Sequence, residues 1–470
     1  MPARFAEPGT GATPKPRNDC ETQTRLAWPI ILCTITEAAD RAARNQSASR
    51  AGKGPSMSHA SQPITQQHDG FSAKAAGLAG RSVVTLDDLS LQQLMFLIFR
   101  AEYIAQHPDR VSGAADGKLL ATLFYEPSTR TRLSFESAML RLGGHVIGFM
   151  GAKDSSVSKG ETVHDTLRAV SGIADIAVMR HPKDGAAAVG SQAAAIPVVN
   201  GGDGGHLHPT QTLADLSTIW ARCGSMTGLT IGVCGDLLHG RTVHSLVETM
   251  TRFGNNKFVF IAPDELQMPQ YVCDRVDASE NCSRVRLSEL RSAITDLDVL
   301  YMTRVQRERF ASQEAYLRLR DTYVLTRAKL ANAKSGLTVL HPLPRFNEIA
   351  RDVDAEPCAA YFDQVHNGML MRMALISSLL GLELPGFDDA ANCRPVPGDK
   401  PIVAGMPTDA ANAARLGLRC GNKRCITDDP REARPSFYLA SDSTGEEPDY
   451  RCAYCDMKCE PHGDEDDAEE

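Results

Sequence analysis

No stretch of eighteen consecutive apolar residues occurs in this 470-residue chain, so the sequence offers no membrane-spanning helix. Nor is there a basic excess: 50 Lys and Arg stand against 58 Asp and Glu, a net charge of −8, with an isoelectric point near 5.9. That balance argues against a nucleic-acid-binding surface. A secretion signal is lacking as well, because the short apolar stretch 26–34 comes late and is broken by Pro29. Residues 1–80 have no sustained hydrophobic periodicity and are rich in Ala, Gly, Ser, Pro and Gln, which reads as a disordered extension. Acidic residues scattered through it argue against an organelle transit peptide. Cysteine, by contrast, is plentiful, with 13 in the chain. Eight are spread between Cys20 and Cys393 and suit the small buried hydrophobes of a reducing cytoplasm. The other five crowd between Cys420 and Cys459.

Periodicity begins at residues 86–105, where Leu91, Leu94, Met95, Ile98 and Phe99 predict one face of an amphipathic helix. Strand-like and helix-like runs then alternate twice. The strand-like runs are LLATLFY, HVIGFM, ADIAVMR and IPVVNGG between 117 and about 208, then LTIGVCGD, KFVFIAP, DVLYMTR and LTVLHPL between 229 and 341. Such alternation predicts two α/β units, each with a parallel sheet. Residues 364–384 read as a long apolar helix, 385–418 as a Pro/Ala/Gly/Asp-rich linker, and 461–470 as an acidic, solvated tail.

Polar clusters punctuate the predicted strand ends, where ligands of open α/β sheets sit. The most telling is EPSTRTRLSFE (126–136), in which Ser128, Thr129, Arg130 and Thr131 fall between a strand and a helix start. Free backbone N–H groups, the helix dipole and a guanidinium together suit a phosphate. An ordinary N-cap beside surface arginines would explain that stretch alone. It does not explain the series that follows: SSVSKGE (155–161), VMRHP (178–182), HLHPTQT (206–212), GDLLHGRTVHS (235–245), VLYMTRVQ (299–306) and VLHPLPR (339–345).

In this order the segments resemble the catalytic chain of aspartate carbamoyltransferases, from about residue 85 to 384. The sister ornithine family has Cys where this chain has Pro342; an ornithine-type or other transcarbamoylase, and an inactive assembly paralogue, are the alternatives. The resemblance implies transfer of a carbamoyl group from carbamoyl phosphate to L-aspartate, the second step of pyrimidine (UMP) biosynthesis. It implies two doubly wound parallel-sheet domains: a carbamoyl-phosphate domain (81–208, completed by the 364–384 helix) and an aspartate domain (209–363). Ser128, Thr129, Arg130, Thr131 and Ser155 would hold the phosphate, with Arg180, His208 and Thr131 polarising the carbonyl. Gln211 and the backbone carbonyls of Leu343 and Pro344 would hold the carbamoyl NH2, and Lys159, Arg241, Arg304 and Gln306 the aspartate. No protein general base is evident, and no active-site cofactor is implied. A homotrimer is implied, with the SKGET loop lent by a neighbour. Two departures, Leu207 and the Leu238-His239 pair, lie beside the site.

The C-terminal spacing Cys420-x4-Cys425-x26-Cys452-x2-Cys455 predicts a structural zinc site (419–460), because short Cys pairs each supply two corners of a tetrahedron. In so short a segment metal would substitute for a core. Cys459 falls outside the four-ligand pattern. The segment resembles the zinc domain of the aspartate carbamoyltransferase regulatory chain, whose docking role would suit paired trimers. The 34 residues of the linker are too few for a nucleotide-binding domain.

Overall fold

The structure is a computed structural model, and it describes residues 76–151, 156–279, 281–304, 313–314, 323–387, 417–440 and 449–461. Residues 1–75 of the expected disordered extension, most of the linker and residues 462–470 of the acidic tail lie outside these residues, as do Ser155 and Gln306. Residues 76–80 of that extension are instead ordered, with Ala76 and Leu78 buried in the core.

Two parallel sheets organise the chain. The first has the order β2-β1-β3-β4 and is made of β1 (Leu119–Phe124), β2 (His145–Met150), β3 (Ile176–His181) and β4 (Val198–Asp203). The second has the order β7-β6-β5-β8-β9. Its strands are β5 (Thr230–Cys234), β6 (Lys257–Ile261), β7 (Ser283–Leu287), β8 (Val299–Met302) and β9 (Thr338–Leu340). Central strands such as β1, β5 and β8 are near-continuous apolar runs with both faces covered, as parallel strands require. The edge strand β7 reads SRVRL, largely exposed and without an apolar run, and sequence patterning misses it.

Each sheet reverses its strand order once, between β1 and β3 in the first and between β5 and β8 in the second. Chains leaving two such strands diverge and open a crevice at their carboxyl ends. The helices that follow carry the site. They are α2 (Thr129–Arg141) after β1, α5 (Pro209–Cys223) after β4, and α6 (Arg241–Phe253) after β5.

The first helix, α1 (Leu91–Gln106), starts five residues later than its periodicity suggests. Ser90 Oγ accepts from Gln93 N at 3.1 Å and Gln93 Oε1 from Ser90 N at 3.0 Å, a reciprocal cap that sets the boundary. Helices α3 (Val163–Val170) and α4 (Ala186–Ala193) lie between α2 and α5 in the chain, and α7 (Gln270–Asp277) follows α6. The apolar C-terminal helix α8 (Asp363–Leu379) returns to pack on α1, α2 and α5. Buried Arg100 joins α1 to α8 by donating to Ser377 Oγ at 3.0 Å, its guanidinium resting on the Phe96 and Phe387 rings.

A small module follows, built from two antiparallel pairs: β10 (Leu418–Cys420) with β13 (Cys459–Pro461), and β11 (Phe437–Leu439) with β12 (Tyr450–Cys452). It seats on the first sheet's outer helices, where Ile426 and Phe437 share an apolar cluster with Leu167 and Ala186. Asp184 pairs with it as a strand would: its N–H donates to Arg424 O and its carbonyl accepts from Ile426 N, both at 2.9 Å. Glu432 Oε2 accepts from Val163 N at 2.8 Å, satisfying a free donor at the start of α3.

Candidate active site and metal centre

The two crevices meet in one cavity of about 440 Å³. It is lined by Ser128, Thr129, Arg130 and Thr131 from the start of α2, Arg180 from the end of β3, and His208 and Gln211 from the start of α5. Across from them stand Arg241 at the start of α6, Arg304 after β8, and Leu343 and Pro344 after β9. Eleven of the fourteen residues expected at the site thus face the same space. Lys159 does not: it is exposed at the end of a short 3-10 turn, Ser156–Lys159, outside the cavity lining.

Local chemistry brings these groups close. Arg180 lies opposite Phe124 in the β1–β3 register, which sets it beside the phosphate loop. Its Nη1 donates to Gly201 O at 3.2 Å, and its Nε lies 3.5 Å from Glu126 Oε2. Gly202 has φ +116°, and a Cβ there would meet Arg180 Nη1 at 2.6 Å, so a side chain would expel the guanidinium. Gly235, at φ +123°, lets the β5 and β8 tips close up; a Cβ would stand 2.4 Å from Thr303 O. Arg241 Nη1 donates to the carbonyl oxygens of Asp203 and Gly204. In the loop after β9, Leu343 takes φ +53°, an uncommon conformation for a branched side chain. Its peptide bond to Pro344 is cis.

Cations outnumber their partners here. Burial, and then the Arg180 charge, push Arg130 below its ordinary value, and burial does the same to Arg180 itself. Arg241 is brought down to about 10 by burial and then by Arg180. His208 is held well below 6.5 by burial and then by Arg241, Arg180 and Arg372, so it is neutral at pH 7. Its Nδ1 is buried without a hydrogen-bond partner. A hollow crowded with guanidinium groups favours small anions.

Several residues of the site escape a reading of the sequence. Ser134, Gln364 and Arg372 line the same cavity, and Asp215 stands behind it. Arg372 is a buried charge within an otherwise apolar helix, and its guanidinium lies 5.1 Å over the Phe135 ring. A charge in such a helix, and Asp215 one helical turn after Gln211, were the available signals. Of the two departures, Leu207 donates its N–H to Asp203 Oδ1 at 3.1 Å; in the Leu238-His239 pair, Leu238 is 40 % exposed and His239 Nδ1 lies 3.1 Å from Asp236 Oδ1.

The four sulfurs of Cys420, Cys425, Cys452 and Cys455 lie within 4.8 Å of one another. Cys420–Cys455 measures 3.5 Å and Cys425–Cys452 3.7 Å. A tetrahedral site with metal–sulfur bonds of about 2.3 Å has edges of about 3.8 Å, so the donors fit such an ion. Hydrogen bonds from its neighbours push the Cys425 thiol pKa far down and that of Cys455 far up: the first thiolate forms easily and the last resists. A cation resolves that conflict. Cys459 pairs with Cys420 across β10–β13 yet stays outside the cluster, its thiol pushed by burial to about 12.

Residues 81–221 match the family described as aspartate/ornithine carbamoyltransferase, carbamoyl-P binding domain, and residues 227–379 its Asp/Orn binding domain. Residues 415–462 match the metal binding domain of the aspartate carbamoyltransferase regulatory chain. The aspartate carbamoyltransferase catalytic subunit of Bifidobacterium adolescentis is 62% identical over 314 residues, spanning 67% of this chain and 98% of that one. The catalytic subunit of M. jannaschii aspartate transcarbamoylase superposes with a TM-score of 0.61 at 41% identity, covering 64% and 98% of the two chains. The Trypanosoma cruzi enzyme in complex with carbamoyl phosphate and aspartate also gives 0.61, at 39% identity over 65% and 98%. The chain belongs to the aspartate carbamoyltransferase family, with a metal-binding domain of the regulatory-chain type joined to its C-terminus.

Proposed function

We propose that the cavity transfers the carbamoyl group of carbamoyl phosphate to the amine of L-aspartate, giving N-carbamoyl-L-aspartate and phosphate and so serving pyrimidine biosynthesis. The carrying observation is the convergence of Arg130, Arg180, Arg241, Arg304 and a neutral His208 on one cavity. The start of α2 offers phosphate its free N–H groups, the Ser128 and Thr129 hydroxyls and Arg130. Arg180, His208 and Thr131 donate to the carbonyl oxygen as it becomes an oxyanion, each such donor contributing roughly 3–4 kcal/mol to the transition state. Gln211 Oε1 and the carbonyls of Leu343 and Pro344 accept from the carbamoyl NH2. Arg241 and Arg304 each take one aspartate carboxylate. The amine attacks the carbonyl carbon, the C–O bond to phosphate breaks, and the departing phosphate takes the proton, so no protein base is needed. Much of the rate comes from holding two small anions in reacting contact.

Lys159 is exposed in the single chain. Leu133 and Leu140 on α2, 59% and 58% exposed, and Ile147 and Met150 on the edge strand β2 add an apolar surface. Both features support a homotrimer in which a neighbour's 155–160 loop, with Ser155 and Lys159, completes the site. Gln306 adds to the aspartate grip in the same reading. The four cysteines would hold zinc in a structural role, and the module would serve docking between trimers in a cytoplasmic enzyme. The test is a paired assay with carbamoyl phosphate: turnover with aspartate and none with ornithine is expected, and the reverse would reassign the enzyme.

A further inference from the structure

The acceptors for the carbamoyl NH2 come from two different elements, α5 and the loop after β9, and one buried carboxylate joins them. Asp215 is fully buried, one helical turn beyond Gln211. Its Oδ1 accepts from Gln211 Nε2 at 2.8 Å and also from Gln364 Nε2. Burial raises the Asp215 pKa to about 7, but Oδ1 accepts in the carboxylate and equally in an acid protonated on its other oxygen, so each amide turns its NH2 toward Asp215 and its oxygen away. For Gln211, a cavity-lining residue, that leaves Oε1 as the atom offered to a ligand. For Gln364, Oε1 accepts from His341 N at 3.1 Å. His341 in turn accepts from Leu343 N through Nδ1 at 2.8 Å and bonds through Nε2 to Glu348 Oε1 at 2.7 Å. The loop bearing the Leu343 and Pro344 carbonyls is therefore tied, bond by bond, to the same carboxylate.

We infer that Asp215 is a positioning residue that fixes the carbamoyl slot as a set of acceptors, selecting a terminal NH2 over a methyl group of the same size. The inference rests on the carbamoyl-transfer reading. Burial outweighs the Arg372 charge in setting the Asp215 carboxyl, and Arg372 itself donates to Ser134 Oγ at 3.3 Å and Thr210 Oγ1 at 3.4 Å. The other carboxyl oxygen, Oδ2, and the Tyr301 hydroxyl are both buried without a hydrogen-bond partner. Among the described residues no other side-chain hydrogen bond orients the Gln211 amide. Without Asp215 the amide can flip its NH2 into the cavity, where it opposes the carbamoyl NH2 donor to donor. A methyl ligand meets no such conflict. A site built to hydrogen-bond an N–H rejects the analogue lacking it because its own acceptors are left unpaired.

The test uses the full-length chain and two stable ligands that differ only at this position, phosphonoacetamide (NH2) and phosphonoacetone (CH3), with inorganic phosphate as control. Dissociation constants are measured by calorimetry for wild type, Asp215→Leu and Asp215→Asn. Wild type is expected to prefer the amide. In Asp215→Leu the amide-to-ketone preference falls by about tenfold, the order of one lost hydrogen bond, while phosphate affinity stays within about twofold. Asp215→Asn keeps an acceptor oxygen at the Oδ1 position and retains most of the preference. The inference is overturned if wild type binds both ligands equally, if Asp215→Leu keeps its preference, or if it weakens all three ligands in parallel. Should Asp215→Leu be insoluble, Gln364→Leu breaks the relay to the β9 loop and must reduce the preference by itself; an unchanged preference overturns the inference. Wild-type turnover of aspartate tests the carbamoyl-transfer reading separately.

Discussion

The cavity and the cysteine module are both sites of unbalanced charge, with opposite sign. In the cavity, burial and then the neighbouring guanidinium groups push Arg241 to about 10 and keep His208 neutral. In the module, four sulfurs stand so close that one thiol ionises readily and another is barred from doing so. Each suits a ligand of the opposite charge: two anions in one case, a metal cation in the other. They differ in what holds them. The cavity groups are mounted on the tips of two well-packed sheets. The module has two short strand pairs and little core, so its ion must also be its main fold determinant.

Metal removal should break this comparison most sharply. Structural zinc in small domains is worth on the order of 10–16 kcal/mol of apparent folding free energy near neutral pH. Releasing the ion with a mercurial and a chelator should free one zinc per chain and open residues 417–461 to proteolysis. The fragment carrying both sheets should stay resistant. Mass spectrometry of the cleavage products decides it: survival of the module after full metal loss would show that its core suffices.

The same contrast accounts for what was legible in the sequence. The module declares itself, because its ligands come in short pairs with a spacing set by metal geometry. The cavity declares itself only at the strand ends, where loops must supply polar groups. Arg130, Arg180, Arg241 and Arg304 could be picked out because each ends an apolar strand or begins the helix after it. Asp215, Gln364 and Arg372 were hidden, because they sit inside α5 and α8, where periodicity assigns a residue to a face but not to a partner. Only the packing of α8 back onto α5, across about 150 positions of chain, brings Gln364 to Asp215. The start of α1 was misplaced for a local reason, since the reciprocal Ser90–Gln93 cap outweighed an apolar pattern that began earlier.

A second, smaller effect sharpens the claim that the cavity is held open against its own charge. Arg180→Ala should lower kcat by about a hundredfold to a thousandfold, roughly 3–4 kcal/mol of barrier. Without ligand, its stability should fall by no more than about 1 kcal/mol, because the pair with Glu126 and the bond to Gly201 are offset by relief of Arg130, Arg241 and His208. Paired denaturant titrations and steady-state kinetics would show it; a large loss of stability would mean the guanidinium is structural.

The smallest expected effect concerns the protonation of His208. Burial first, then three arginines, hold its pKa well below 6.5, so the neutral ring is the working form at pH 7. The sign follows from the direction of the shift. A histidine with a lowered folded pKa gains its proton only when the pH drops below that value, so nothing changes between pH 6 and 8. The pH–rate profile of wild type should therefore show no limb near 6.5 that disappears in a His208 variant. His208→Gln, which keeps a neutral donor, should recover about tenfold of the activity lost in His208→Ala, the order of one hydrogen bond. If the working form were the imidazolium, the rate would rise as pH falls through 6.5, and Gln would rescue nothing. Burial of the ring and the arginines beside it make that outcome the costlier one, because a further buried cation would join Arg241 and Arg180.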